Sequence, residues 1–241
     1  MRRSLFILAT LAMSSALYAQ ADAGHYNREK VLDIFSQYNP AVLENARQNA
    51  DYNAVLEGLL ASYNAPETEE NRYELIALAR NFDNSIRLKA LAVNYEEAVL
   101  LSQMSGLDLS SAVLHFRREL TPVFQNIWAV TVQLREYQID EYEAQLKELR
   151  KNKTLSKEAR QAREVVLKEK IKALKTEIKS LKKDAGAQIL SAVDVYVAET
   201  DRSIAEKLEA ERAHMQEASS KQVSQTKNLQ VKTKNKKPVA K

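Results

Sequence analysis

The residues best suited to chemistry are few. His115 and Glu119 stand four apart, a spacing that puts two side chains on one helical face, so an imidazole–carboxylate pair can form there. Glu211 and His214 stand three apart, the spacing of a ligand pair in a carboxylate-bridged di-iron bundle. Such a site needs a second Glu-x-x-His and two further Glu, and Ala112 occupies the required position before His115. The third histidine, His25, lies on a separate segment. Glu69-Glu70 and Glu96-Glu97 are adjacent acids that point in different directions on a helix, so neither pair can share a proton. There is no Gly-rich phosphate loop and no nucleophile elbow. Trp128 falls in an apolar run and is expected in a core. The sequence therefore predicts no catalytic residue, no metal and no cofactor. An enzyme would need converging polar groups in or beside the apolar zones 123–134 and 187–197, where Asp194 and Glu199 are the best candidates.

The elements that carry these residues are helices. Turns in sheet proteins consume Gly and Pro, and this 241-residue chain has only 4 of each. Val31, Ile34, Phe35 and Tyr38 recur at helical spacing. Asn39-Pro40 reads as a cap and first residue of a helix to about Ser62, with Leu43, Ala46, Ala50, Leu56, Leu59, Leu60 and Tyr63 toward the core. Pro66 opens the next helix. Its expected core residues are Leu75, Leu78, Phe82, Ile86, Ala90, Val93, Leu100 and Leu101, and Gly106 ends it. The following helix starts near Ser111 and runs to about Asn152, bending at Pro122. Beyond Ile139 its apolar residues narrow to Ile139, Tyr142, Leu146 and Leu149, the thin stripe of a two-helix seam. Ser156 caps a return helix carrying Leu167, Ile171, Leu174, Ile178, Leu181, Ala185, Ile189, Ala192 and Tyr196. Folding the arms about residue 154 matches apolar zones at both levels.

The bend is dense in charge. Residues 140–185 carry 14 basic and 9 acidic side chains, whereas residues 22–109 carry 7 basic and 14 acidic ones. Arg150, Lys151, Lys153, Lys157, Arg160, Arg163, Lys172, Lys175, Lys179 and Lys182 are the candidate partner-binding residues. Glu164 and Lys168 form an i, i+4 pair in the favourable orientation. The stretch "TLSKEARQAREVVLKEKIKALKTEI" resembles the bend of the periplasmic OmpH/Skp family of outer-membrane-protein chaperones. The matching residues are Leu155, Ser156, Glu158, Ala159, Arg160 and Gln161, followed by Leu167, Lys170 and Leu174. The resemblance covers about residues 150–185. It implies a basic helical tentacle that grips unfolded clients. That family also has a small β-rich trimerisation body, and no strand pattern is found at either end of this chain.

The two ends carry separate signals. Arg2 and Arg3, the apolar run Leu5–Ala12 and the small residues of "ALYAQA" read as a secretory signal peptide over residues 1–21, cleaved after Ala19 or Ala21. No cysteine is present, so neither a disulfide nor a lipidated N-terminal cysteine is expected. Together these predict a bacterial envelope protein, periplasmic or alternatively secreted, and not transmembrane. Residues 219–241 hold 7 lysines and no acid, have no apolar period and are expected to be disordered. Lys232, Lys234, Lys236 and Lys237 are candidates for binding a polyanion. No aromatic residue interleaves them, so base stacking and nucleic acid are disfavoured.

The expected architecture is all-α and elongated. It comprises an acidic helical region (22–108), a long hairpin (109–218) with a projecting antiparallel coiled-coil tip (139–170), and a disordered basic tail. The expected activity is non-enzymatic contact with a protein partner or an unfolded exported client. The alternative is attraction of the basic tail to anionic lipid or lipopolysaccharide.

Overall fold

A computed structural model describes residues 24–106 and 108–234, with side chains as far as 216. Six helices account for nearly all of it: α1 (Arg28–Tyr38), α2 (Ala41–Gln48), α3 (Ala50–Ser62), α4 (Glu69–Ser105), α5 (Ser110–Lys151) and α6 (Lys157–Lys234). No strand occurs among the described residues; a single antiparallel bridge joins His25 and Pro66. The fold is all-α, as the scarcity of Gly and Pro predicts. The chain divides into two compact units, one reaching Arg80 and the other beginning at Asn81.

In the first unit, α1 to α3 and the start of α4 bury Val31, Phe35, Val42, Tyr52, Leu56, Leu60, Tyr73, Leu75 and Ile76. Burying a side chain of this size is favourable by roughly 1.5–3 kcal/mol. Two boundaries depart from the sequence reading. The helix expected from Pro40 to Ser62 is two helices, because Asn49 takes an extended backbone and its side chain accepts the Tyr52 N–H at 3.0 Å, starting α3 afresh. Ala50, expected in the core, is consequently exposed. The Asn39 amide donates to the Ala79 carbonyl at 3.0 Å. Helix α4 begins at Glu69 rather than at Pro66, with the Thr68 hydroxyl accepting the Asn71 N–H at 3.2 Å. Pro66 is engaged instead in the bridge to His25, beside the bonds Tyr26 N–H to Ala65 O and Glu67 N–H to Gly24 O. Bidentate contacts of Arg28 with Glu57, at 2.5 and 2.7 Å, and a Lys30–Glu67 pair tie the first turn of α1 to α3 and to the segment before α4.

In the second unit, the rest of α4 packs with α5 and α6. Tyr95, Val99, Phe116, Leu120, Val123, Phe124, Ile127, Val193, Val197 and Ile204 form its core. The inward face of α4 here runs through Leu88, Leu91, Tyr95 and Val99. Ala90, Val93 and Leu101, expected inside, face out; Val93 is 54% and Leu101 64% exposed. Both stripes repeat at 3 or 4 residues, so periodicity alone does not choose between them. Gly106 ends α4 at φ +68°, as expected, and the Asp108 carboxylate accepts the Ser110 N–H at 3.0 Å to start α5. Helix α5 runs on through Pro122. Nearby, the Thr121 hydroxyl donates to the Arg117 carbonyl at 2.9 Å.

The sequence reading ends the return helix near Ala218, whereas the α6 backbone is helical to Lys234. Residues 1–21, expected from the sequence to be a signal peptide, and the final residues 235–241, including Lys236 and Lys237, lie outside the described residues. Among the described residues, no helix is long and apolar enough to cross a membrane.

Candidate partner-binding hairpin

Past the three-helix core, only α5 and α6 continue toward the loop. Ile139, Tyr142, Leu146 and Ile171 form a separate apolar cluster, flanked by Leu167, Leu174 and Ile178. This is the thin seam read from the sequence. At about 1.5 Å per residue, the part beyond Ile139 is roughly 20 Å long. Register differs by about one turn from a fold centred on residue 154: Arg135 meets Glu177 at 2.9 Å and Arg117 meets Asp194 at 2.6 Å. A one-turn shift returns the same helix face to the partner, so the apolar match survives it.

The loop at residues 152–156 is built from its own polar groups. Asn152 Oδ1 accepts the Thr154 N–H at 2.9 Å and the Thr154 hydroxyl at 2.6 Å. The Ser156 hydroxyl accepts the Ala159 N–H at 3.2 Å, the cap predicted for the return helix. Arg160 reaches back to the Leu155 carbonyl at 3.5 Å, with its Nε buried and unpartnered. Arg160 is thus part of the loop's own scaffold.

The ten candidate cations divide into two groups. Arg150 pairs with Glu164 at 2.9 Å, and Lys168 holds the same carboxylate at 2.9 Å. Together they keep the Glu164 carboxyl below the usual carboxylate range. Lys151 pairs with Glu148 at 3.0 Å on an open surface. Lys175 and Lys182 cross the seam to Glu143 at 3.1 Å and Glu136 at 2.9 Å. These residues, with Arg160, are occupied within the hairpin. Among the described residues, Lys153, Lys157, Arg163, Lys172 and Lys179 form no ion pair, and the first three cluster at the loop. Lys232 and Lys234 lie in the last turns of α6.

A cavity of about 520 Å³ opens beside the loop. Leu149, Leu155 and Leu167 supply its apolar surface, and Gln145, Glu148, Lys151, Asn152 and Arg163 are its polar residues. Sequence reading missed it, because three leucines on two arms and a loop show no common period.

The other chemical candidates do not assemble. His115 Nδ1 lies 3.0 Å from Arg118 rather than pairing with Glu119, whose carboxylate is 3.7 Å from the same arginine. Glu211 and His214 are exposed. Asp194 is exposed in its pair with Arg117, and Glu199 is half-buried. No group of three or more metal-binding side chains is found among the described residues. Trp128 is half-buried, with its indole N–H buried and unpartnered.

A polar lock missed by sequence reading closes the three-helix core. The Tyr95 hydroxyl donates to Asp201 at 2.8 Å, and its ring stacks on Phe116 with centroids 4.3 Å apart. The Tyr196 hydroxyl donates to the Leu88 carbonyl at 3.1 Å. Burial, reinforced by the Glu199 charge, pushes the Tyr196 phenol up to about 12. Burial and the bond to Asp201 raise Tyr95 in the same direction. No family model, curated protein or solved structure matches the chain.

Proposed function

We propose that this is a non-enzymatic, exported envelope protein that acts by protein–protein contact, holding a partner or an unfolded client with its coiled-coil hairpin. The observation that carries the reading is the hairpin tip itself. Its two arms continue past the three-helix core as a two-helix seam, and Lys153, Lys157 and Arg163 are left unpaired at its loop. The resemblance of residues 150–185 to the OmpH/Skp bend and the export-type pattern over residues 1–21 agree with this reading. On it, the chain works in the periplasm or outside the cell.

Dilution of a urea-unfolded outer-membrane β-barrel protein tests the proposal, with light scattering as the readout. The full chain is expected to suppress aggregation. A chain with residues 140–170 replaced by a short turn is expected to lose that effect. Equal suppression by both would remove the hairpin from the function. A second reading follows from the 7 lysines and absent acids of residues 219–241: attraction to an anionic lipid or lipopolysaccharide surface. Suppression or vesicle binding that requires only this tail and fades at moderate salt would favour it, because exposed charges are screened beyond about 8 Å at physiological ionic strength.

A further inference from the structure

We infer that the cavity beside the hairpin loop is a peptide subsite that takes one bulky apolar side chain flanked by carboxylates. The inference rests on the hairpin reading above and names the chemistry its tip would select. Two observations converge on it. The first is the apolar surface: Leu149, Leu155 and Leu167 meet where the arms close, around a cavity of about 520 Å³, within the range of small-ligand sites. The second is charge. The lining carries two cations, Lys151 and Arg163, against one carboxylate, Glu148, which is already paired with Lys151. Arg163 lines the cavity with no ion pair among the described residues. Lys151, also on the lining, is held only by an exposed contact with Glu148, which an incoming carboxylate can displace at little cost.

Charge complementarity therefore selects an acidic segment over a basic one, and the leucines select a segment with an apolar residue at its centre. A guanidinium suits a carboxylate because it offers paired donors in one plane. The occupant is a polypeptide rather than a lipid. An apolar patch of three leucines accommodates one side chain, whereas an acyl chain needs a long apolar groove, and the seam leading away from the cavity is closed by Leu146, Tyr142 and Ile171.

Fluorescence anisotropy with the full chain tests this. The probes are three labelled nonapeptides: Phe between paired acidic residues, the same peptide with Ala for Phe, and the same peptide with Lys for the acids. The acidic Phe peptide is expected to bind at least about tenfold tighter than either comparator. Arg163→Glu and Leu155→Glu are each expected to weaken it by about tenfold, whereas Arg163→Lys, which keeps the charge but not the paired donors, is expected to weaken it less. Both positions lie at the loop, and unchanged helical circular dichroism establishes that the variants fold. Equal binding of the Ala peptide would overturn the proposal in favour of charge alone. Unchanged binding by Arg163→Glu and Leu155→Glu would overturn it by placing the contact elsewhere. Displacement of the peptide by phosphatidylglycerol vesicles, sensitive to the same two substitutions, would overturn the choice of a peptide. The aggregation assay separates this from the broader reading: a hairpin that suppresses aggregation while the acidic Phe peptide fails to bind sinks only the cavity proposal.

Discussion

Tyr95 and Tyr196 show what single residues contribute here. Each phenol spends its one donor on a group more than a hundred positions away, Asp201 for Tyr95 and Leu88 for Tyr196. Tyr95→Phe keeps the ring on Phe116 but loses the bond, and is expected to lower stability in urea unfolding by about 1 kcal/mol. The alkaline limb carries a second signature. A phenol whose folded value is about 12 and whose unfolded value is near 10 favours the folded state fully below pH 10 and loses that contribution between pH 10 and 12. Stability measured across that interval should fall, and Tyr196→Phe should flatten part of the fall. None of this was legible in the sequence, since a contact between distant positions leaves no local spacing. The local pair that the spacing allows, His115 with Glu119, is not the one seen: Arg118 lies 3.0 Å from the imidazole and 3.7 Å from the carboxylate.

At the scale of elements, the seam was readable because a two-helix contact repeats every 3 or 4 residues. Ile139, Tyr142, Leu146 and Ile171 came out where that period puts them. The break at Asn49 was not readable, since one capping side chain overrides the apolar residues on either side of it. Two stripes of α4 repeat at helical spacing, and the one that faces inward is the one whose Tyr95 stacks on Phe116 of α5. Ser156→Ala removes the cap of α6 and is expected to cost about 1 kcal/mol locally. Amide exchange should quicken at Ala159 and Arg160 while remaining slow in the core around Leu120. Leu146→Ala cuts the seam and is expected to cost about 2 kcal/mol or more. Its effect should appear as faster exchange along residues 139–178, because the seam cluster is separate from the core around Tyr95.

For the molecule as a whole, helix content and the hairpin were legible from Gly and Pro scarcity and from a single turn signal. The loop cavity and the pairing of individual cations were not, because both depend on which arm residues come level. Half of the ten cations marked by charge density are engaged within the hairpin or its loop, so charge density alone overstates the surface open to a partner. Replacing residues 140–170 by a short turn should lower the helical signal yet leave the midpoint of unfolding of the remaining core nearly unchanged, as read by Tyr and Trp fluorescence. A mechanical consequence follows from the way the arms are joined. The rungs Glu143–Lys175 and Glu136–Lys182 lie across the arms, while the hydrogen bonds of α5 and α6 run along them. A lengthwise pull on the loop therefore stretches two helices side by side and leaves the rungs unloaded. A sideways pull that prises the arms apart breaks the rungs one after another. In an optical trap, the hairpin should withstand a higher force along its arms than across them.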